Sequence, residues 1–134
     1  MNNILLIEDD TIEVMKFKRA ITTLKFKPNI IEAKNGEEAL IILKNNEILP
    51  NIILLDLNMP KLSGIEFLQI LKSDEVLKYI PTIILTTSNN YKDVMECYRI
   101  GIAGYILKPL KYEEYVSIID KMLSYWSINE LIKK

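Results

Sequence analysis

Four short aliphatic runs in this chain end in groups that can do chemistry. ILLI (4–7) runs into Glu8, Asp9 and Asp10, and NIILLD (51–56) ends in Asp56. TIILTT (82–87) ends in Thr86 and Thr87 with Ser88 next, and GYIL (104–107) runs into Lys108 and Pro109. Asp56 poses the sharpest question. In IILLDLNMP a lone carboxylate closes an oily run, and a buried charge is costly unless something compensates it. Asp56 therefore either caps the turn that follows or faces a site that uses it. If the runs are parallel strands, their ends share one edge, and carboxylates, a hydroxyl and an ammonium converge there. Crowded carboxylates raise one another's pKa unless a cation joins them. Hard oxygen ligands suit Mg2+, which keeps several waters and takes one or two carboxylates plus phosphate oxygens. A cation, an ammonium and a hydroxyl together describe a site for a phosphoryl group.

Those side chains need elements to hold them. The runs above, with NIIEA (29–33), are mostly continuous in hydrophobicity, as strands covered on both faces are. Apolar residues at helical spacing lie between them: Val14, Phe17, Ile21 and Leu24; Ala39, Leu40 and Leu43; Ile65, Leu68 and Leu71; Met95, Tyr98 and Ile102. Tyr115, Ile118, Ile119, Met122 and Trp126 make the clearest stripe. Ser63 with Glu66 and Asn35 with Glu38 fit the pattern of a capping residue followed by Glu three positions on. Asp10 or Thr11 is the expected cap of the first helix. Five strand–helix units predict an α/β fold, a doubly wound five-stranded parallel sheet with helices on both faces. Ligands in such sheets bind beyond the carboxyl ends of the strands, where the reactive groups cluster.

Composition narrows the class of function. The chain has 134 residues, which fits one domain, and a net charge of −1, which argues against a broad basic field for nucleic acid or anionic membrane. Histidine is absent, which removes histidine-based acid–base catalysis and histidine metal ligands. The single cysteine, Cys97, allows no internal disulfide and points to a reducing, cytoplasmic setting; it is expected to be a half-buried helix residue. The amino-terminal stretch lacks the pattern of a signal peptide, and no run approaches the length of a bilayer span.

LLIEDD, LLDLNMPKLSG, ILTTS and GYILKP, in that order, resemble the signature motifs of the response-regulator receiver domain of two-component signalling. The resemblance covers about residues 3 to 125 and implies the flavodoxin-like receiver fold. Carried over by position, it implies Asp56 as the phospho-acceptor. Asp9 is implied to ligate Mg2+ directly, Glu8 through water, and the Asn58 backbone carbonyl to add a ligand. Thr86 is implied as the switch hydroxyl, Tyr105 as the aromatic switch position, and Lys108 as the partner of the phosphoryl group or, beforehand, of Asp56. Pro109 is implied to follow Lys108 through a cis bond, and Ser88 and Asn58 to border the site. The phosphoryl donor implied is a phosphohistidine on a sensor histidine kinase or histidine phosphotransfer protein.

One domain over residues 1–134 is expected, with a helical extension at about 126–134 and no room for an output domain. Output therefore requires contact with a downstream protein partner. The tail YWSINELIKK resembles those of stand-alone receivers that partner phytochrome-type sensor kinases, which implies a homodimer. Two other classes compete. An aspartate-nucleophile phosphatase needs a second acid two positions after its aspartate, where this chain has Asn58. A nucleotide- or flavin-binding domain wants a glycine-rich first turn, where this chain has IEDDTI.

Overall fold

The computed structural model describes residues 3–45 and 49–132. Strands and helices alternate: β1 (Asn3–Ile7), α1 (Thr11–Thr22), β2 (Asn29–Ala33), α2 (Gly36–Asn45), β3 (Ile52–Leu55), α3 (Gly64–Ser73), β4 (Thr82–Thr86), α4 (Tyr91–Ile100), β5 (Gly104–Leu107) and α5 (Tyr112–Ser127). A short 3-10 turn, Leu77–Tyr79, precedes β4. The sheet order is β2-β1-β3-β4-β5, and every pairing is parallel.

The unbroken hydrophobicity of β1, β3 and β4 has a direct physical reason. Successive strand residues point to opposite faces, and both faces are covered. Leu5, Ile7, Ile53, Leu55 and Ile84 pack with Ala39, Leu43, Phe67, Leu71 and Cys97 from α2, α3 and α4. Ile4, Leu6, Ile52, Leu54, Ile83 and Leu85 pack with Phe17, Ile21, Tyr115, Ile119 and Leu123 from α1 and α5. β5 lies at the sheet edge, and its residues are half-buried or exposed.

Helix starts follow the capping residues. The Asp10 side chain accepts from the Ile12 N–H at 2.9 Å, so Asp10 rather than Thr11 caps α1. Ser63 and Glu66 form a full capping box at α3, and Asn35 accepts from the Glu38 N–H at 2.9 Å. Each such cap stabilises its helix by about 1 kcal/mol.

Four expectations fail in whole or in part. Of the expected fourth stripe, Met95 and Tyr98 are 42% and 51% exposed, while Ile102 is buried but lies past the end of α4; the fully buried residue of α4 is Cys97, expected to be half-buried. α4 carries exposed apolar residues, Tyr91, Met95 and Tyr98, as well as the buried Cys97, so apolar spacing alone does not orient it. The helical extension ends at Ser127, where the Ile128 and Asn129 N–H groups turn back to Tyr125 and Trp126 carbonyls; residues 128–132 are not helical, and 133–134 lie outside the described residues. The Lys108–Pro109 bond is trans, since the described residues contain no cis peptide. Trans is the intrinsically preferred form even before proline.

Chain order places the site. From β1 the chain passes to β2 on one side, then to β3 on the other, so the topology reverses between β1 and β3. That is the point where a doubly wound sheet opens a crevice at its carboxyl edge. Glu8 follows β1 there, and Asp56 follows β3.

Candidate functional site

Asp56 is presented by a fully buried strand and clamped from behind by α3. A Cβ on Gly64 would lie 2.7 Å from Leu57 Cα and 2.9 Å from the Asp56 carbonyl oxygen, so only glycine allows the helix start to approach this closely. The Asp56 Oδ1 accepts from the Thr86 hydroxyl at 2.8 Å and from the Asn58 N–H at 3.3 Å. Its Oδ2 lies 3.8 Å from Lys108 Nζ.

Glu8, Asp9 and Asp56 form one cluster, with a carboxylate oxygen from each inside a span of 4.8 Å. Asp10 is not part of it, being occupied at the α1 cap, while its N–H donates to Glu8 Oε2 at 3.3 Å. The EDD run thus divides its labour by position. Glu8 is buried and pairs with Lys108 at 2.7 Å, closer than Lys108 approaches Asp56. The expectation that Lys108 first pairs with Asp56 is therefore refined, since Glu8 is its nearest partner. Burial pushes the Glu8 carboxyl up to about 7, Lys108 opposes this, and Asp56 adds to it. The carboxylates around Lys108 hold its ammonium above the usual range, against burial. An all-oxygen cluster short of positive charge fits a hard divalent cation. Glu8, Asp9 and Asp56 are the side chains that would hold it.

A second set of contacts leads away from Asp56. The Ser88 N–H approaches Thr86 Oγ1 at 3.4 Å, and the Ser88 carbonyl accepts from the Tyr105 hydroxyl at 2.7 Å. The Ser88 hydroxyl donates to Asp93 on α4 at 3.0 Å. Tyr105 is half-buried against the α2–α4 core, and its hydroxyl pKa is raised, chiefly by burial. Pro109 is half-buried beside Lys108, whose N–H donates to the Thr86 carbonyl at 2.9 Å. The structure thus brings Glu8, Asp9, Asp56, Thr86 and Lys108 together, with Asn58 reaching Asp56 through its N–H. Tyr105 joins them only through Ser88.

Sequence reasoning missed Glu13. Its Oε2 lies 3.8 Å from Lys108 Nζ, buried and without a hydrogen bond. The available signal was the Asp10 cap: it puts Glu13 in the first turn of α1, and helical side chains tilt toward the amino terminus, here toward the strand ends.

The response regulator receiver domain model matches residues 4–120. The chain belongs to that family. This receiver is 35% identical over 127 residues to the probable methanogenesis regulatory protein FilR2 of Methanothrix harundinacea, covering 92% of this chain and 82% of the relative. It is 32% identical to the response regulator Rcp1 of Synechocystis, covering 92% of this chain and 87% of the relative. The crystal structure of the phosphorylated cyanobacterial phytochrome response regulator RcpA superposes with a TM-score of 0.91 at 30% identity, covering 97% of both chains. The Mn2+-bound form of Rcp1 superposes at 0.90 with 30% identity over 98% of this chain and 99% of that one. The flavodoxin-like receiver fold and a phospho-acceptor signalling role follow from membership, and the phosphatase and nucleotide-binding readings are not favoured. A divalent metal at the acidic pocket and a histidine kinase as partner are family properties of receivers. No helix among the described residues is long and apolar enough to cross a membrane.

Proposed function

We propose that Asp56 accepts a phosphoryl group from a phosphohistidine of a partner kinase or phosphotransfer protein, and that this chain signals by changing its protein contacts. The observation that carries the reading is the convergence on one carboxylate: Asp56 lies within 4.8 Å of Glu8 and Asp9 oxygens, 2.8 Å from Thr86 Oγ1 and 3.8 Å from Lys108 Nζ. An Asp56 oxygen attacks phosphorus, the P–N bond breaks, and its electron pair leaves with the imidazole. Asp9 and Asp56 would hold the cation, Mg2+ in this proposal, with Glu8 through water and the Asn58 carbonyl as further groups that would ligate it. When bound, the cation supplies charge neutralisation on the phosphoryl oxygens. Lys108 neutralises the same charge, and Thr86 donates its hydroxyl to a phosphoryl oxygen.

Once Thr86 leaves Asp56 Oδ1 for the phosphoryl group, the Ser88 backbone and the Tyr105 hydroxyl lose the arrangement that Thr86 anchors. Tyr105 and Pro109 then carry the change to α4, β5 and the start of α5, which biases a two-state surface. That face bears exposed Tyr91, Met95, Tyr98, Leu107 and Leu110, apolar area suited to a downstream protein or a second copy of the chain. We assign the protein to the cytoplasm as a signalling switch whose only chemistry is its own phosphorylation and dephosphorylation.

Acetyl phosphate with Mg2+ tests the acceptor. The expected result is a single phosphoryl adduct by intact mass, lost in Asp56→Asn and lost on chelation. An adduct that survives Asp56→Asn overturns the assignment. Light scattering with and without beryllofluoride tests the dimer, which a monomer at high concentration in both states would exclude.

A further inference from the structure

We propose that Glu13 is a positioning residue for Lys108, a second anionic seat that keeps its ammonium at the site when the Glu8 carboxylate is drawn to a cation. The inference rests on the reading of Asp56 as phospho-acceptor. An ammonium has three N–H donors. The Lys108 side chain is 6% exposed, so water satisfies little of it. Glu8 Oε1 takes one donor at 2.7 Å. The other neighbouring anions, Asp56 Oδ2 and Glu13 Oε2, stand at 3.8 Å each, on different elements: one after β3, the other in the first turn of α1.

Glu13 Oε2 is buried and accepts no hydrogen bond, which leaves a costly acceptor facing a partly satisfied donor. The same oxygen lies 3.9 Å from Lys16, whose ammonium rests over the Tyr115 ring at 4.2 Å. Neither ammonium hydrogen-bonds to it, so the oxygen stays open to Lys108. When a cation shares the Glu8 charge, the Glu8 pull on Lys108 weakens and the cation repels the ammonium. Glu13 lies on α1, outside the cation cluster, so the cation does not draw on it. The ammonium can then bridge Glu13 and a phosphoryl group on Asp56 instead of leaving the site.

A double-mutant cycle separates this role from simple packing. Glu13→Gln keeps the shape and an acceptor oxygen but removes the charge. In the full chain with acetyl phosphate and Mg2+, it is expected to slow adduct formation by about five-fold or more, within the range of couplings between contacting charges. In the Lys108→Met background the same change is expected to alter the residual rate by less than about two-fold. Without any divalent cation, Glu13→Gln is expected to lower the melting temperature of the parent chain. In Lys108→Met it raises it, because three carboxylates then face one another without their ammonium. Equal fold-changes in both backgrounds, no rate change in the parent, or the same sign of melting shift in both overturns the proposal. Failure of the parent chain to form any Asp56 adduct overturns instead the acceptor reading beneath it.

Discussion

The carboxyl edge of the sheet has two halves that meet at Asp56 and are held in different ways. On the β1–β3 half, Glu8 and Asp56 extend strands whose apolar residues are almost wholly buried between two helical layers, and Gly64 lets α3 lock the Asp56 backbone from behind. On the β4–β5 half, Thr86, Ser88 and Tyr105 are joined by single hydrogen bonds, β5 is an edge strand, and α4 commits one fully buried side chain, Cys97, to the core. A phosphoryl site needs fixed charges, because preorganised groups cost no rearrangement at the moment of reaction. A switch needs an element whose two arrangements differ little in free energy. The chain places buried aliphatic packing under the first and replaceable polar contacts under the second.

Removing the shared carboxylate tests both halves at once and has the largest expected effect. Asp56→Asn abolishes the acetyl-phosphate adduct and, with it, any Mg2+-dependent protection of α4 amides in hydrogen exchange. Protection of α4 that persists in this variant would show that the switch half responds to something other than Asp56.

Paired truncations test the difference in packing. Leu54, fully buried on β3, is expected to cost about 2–5 kcal/mol as Leu54→Ala, the range for a large-to-small core change. Leu107 on β5 is 47% exposed, and Leu107→Ala is expected to cost about 0.5 kcal/mol or less, as surface changes do. Urea unfolding measures both, and comparable losses would remove the contrast between centre and edge.

How much of this was legible in the sequence follows the same division. The β1 and β3 ends announced themselves, because an acid after a continuous aliphatic run has few packing explanations, and the four motifs in order carried the resemblance that implied the receiver fold. The caps at Asp10, Ser63 and Asn35 were legible because capping depends on local spacing alone. Glu13 was not legible. An acid in a helix's first turn is ordinarily explained by the helix dipole, and only the folded topology puts it behind Lys108. The α4 face was misread because exposed Met95 and Tyr98 outnumber the one buried Cys97, so the usual equation of apolar with inward fails on that helix. The Lys108–Pro109 bond, expected cis from the resemblance, is trans, and nothing in the local residue pattern could have decided it.

Cys97 offers a pH test of how firmly α4 is held. Burial first, then Asp93 and Glu96, push its thiol up from 9 to about 11. As pH rises through that window the unfolded chain ionises first, so the folded state binds more protons and stability falls with pH. Cys97→Ala is expected to flatten the decline in melting temperature between pH 9 and 11, whatever it does to the absolute value. An identical slope in both proteins would mean the thiol is not held in the core as the structure places it.

The smallest effect is expected from Tyr105→Phe, and its smallness is informative. The ring keeps its place against the α2–α4 core, and only the hydroxyl that donates to the Ser88 carbonyl at 2.7 Å is lost. Ser88 is half-buried in a loop, so water can reach the vacated carbonyl, and the cost belongs at the low end of about 0.5–1.5 kcal/mol. Tyr105 reaches Asp56 only through Ser88 and Thr86, so the rate of adduct formation should stay within about two-fold of the parent, a shift below 0.5 kcal/mol. Hydrogen exchange at Ser88 and the first turn of α4 should accelerate, because Ser88 then keeps only its tie to Asp93 and the longer one, at 3.4 Å, to Thr86. The two readouts must part company if the halves are separable. A ten-fold loss of adduct formation in Tyr105→Phe would mean that the hydroxyl also holds Asp56 in its reactive arrangement, and that charge placement and switching share one rigid unit.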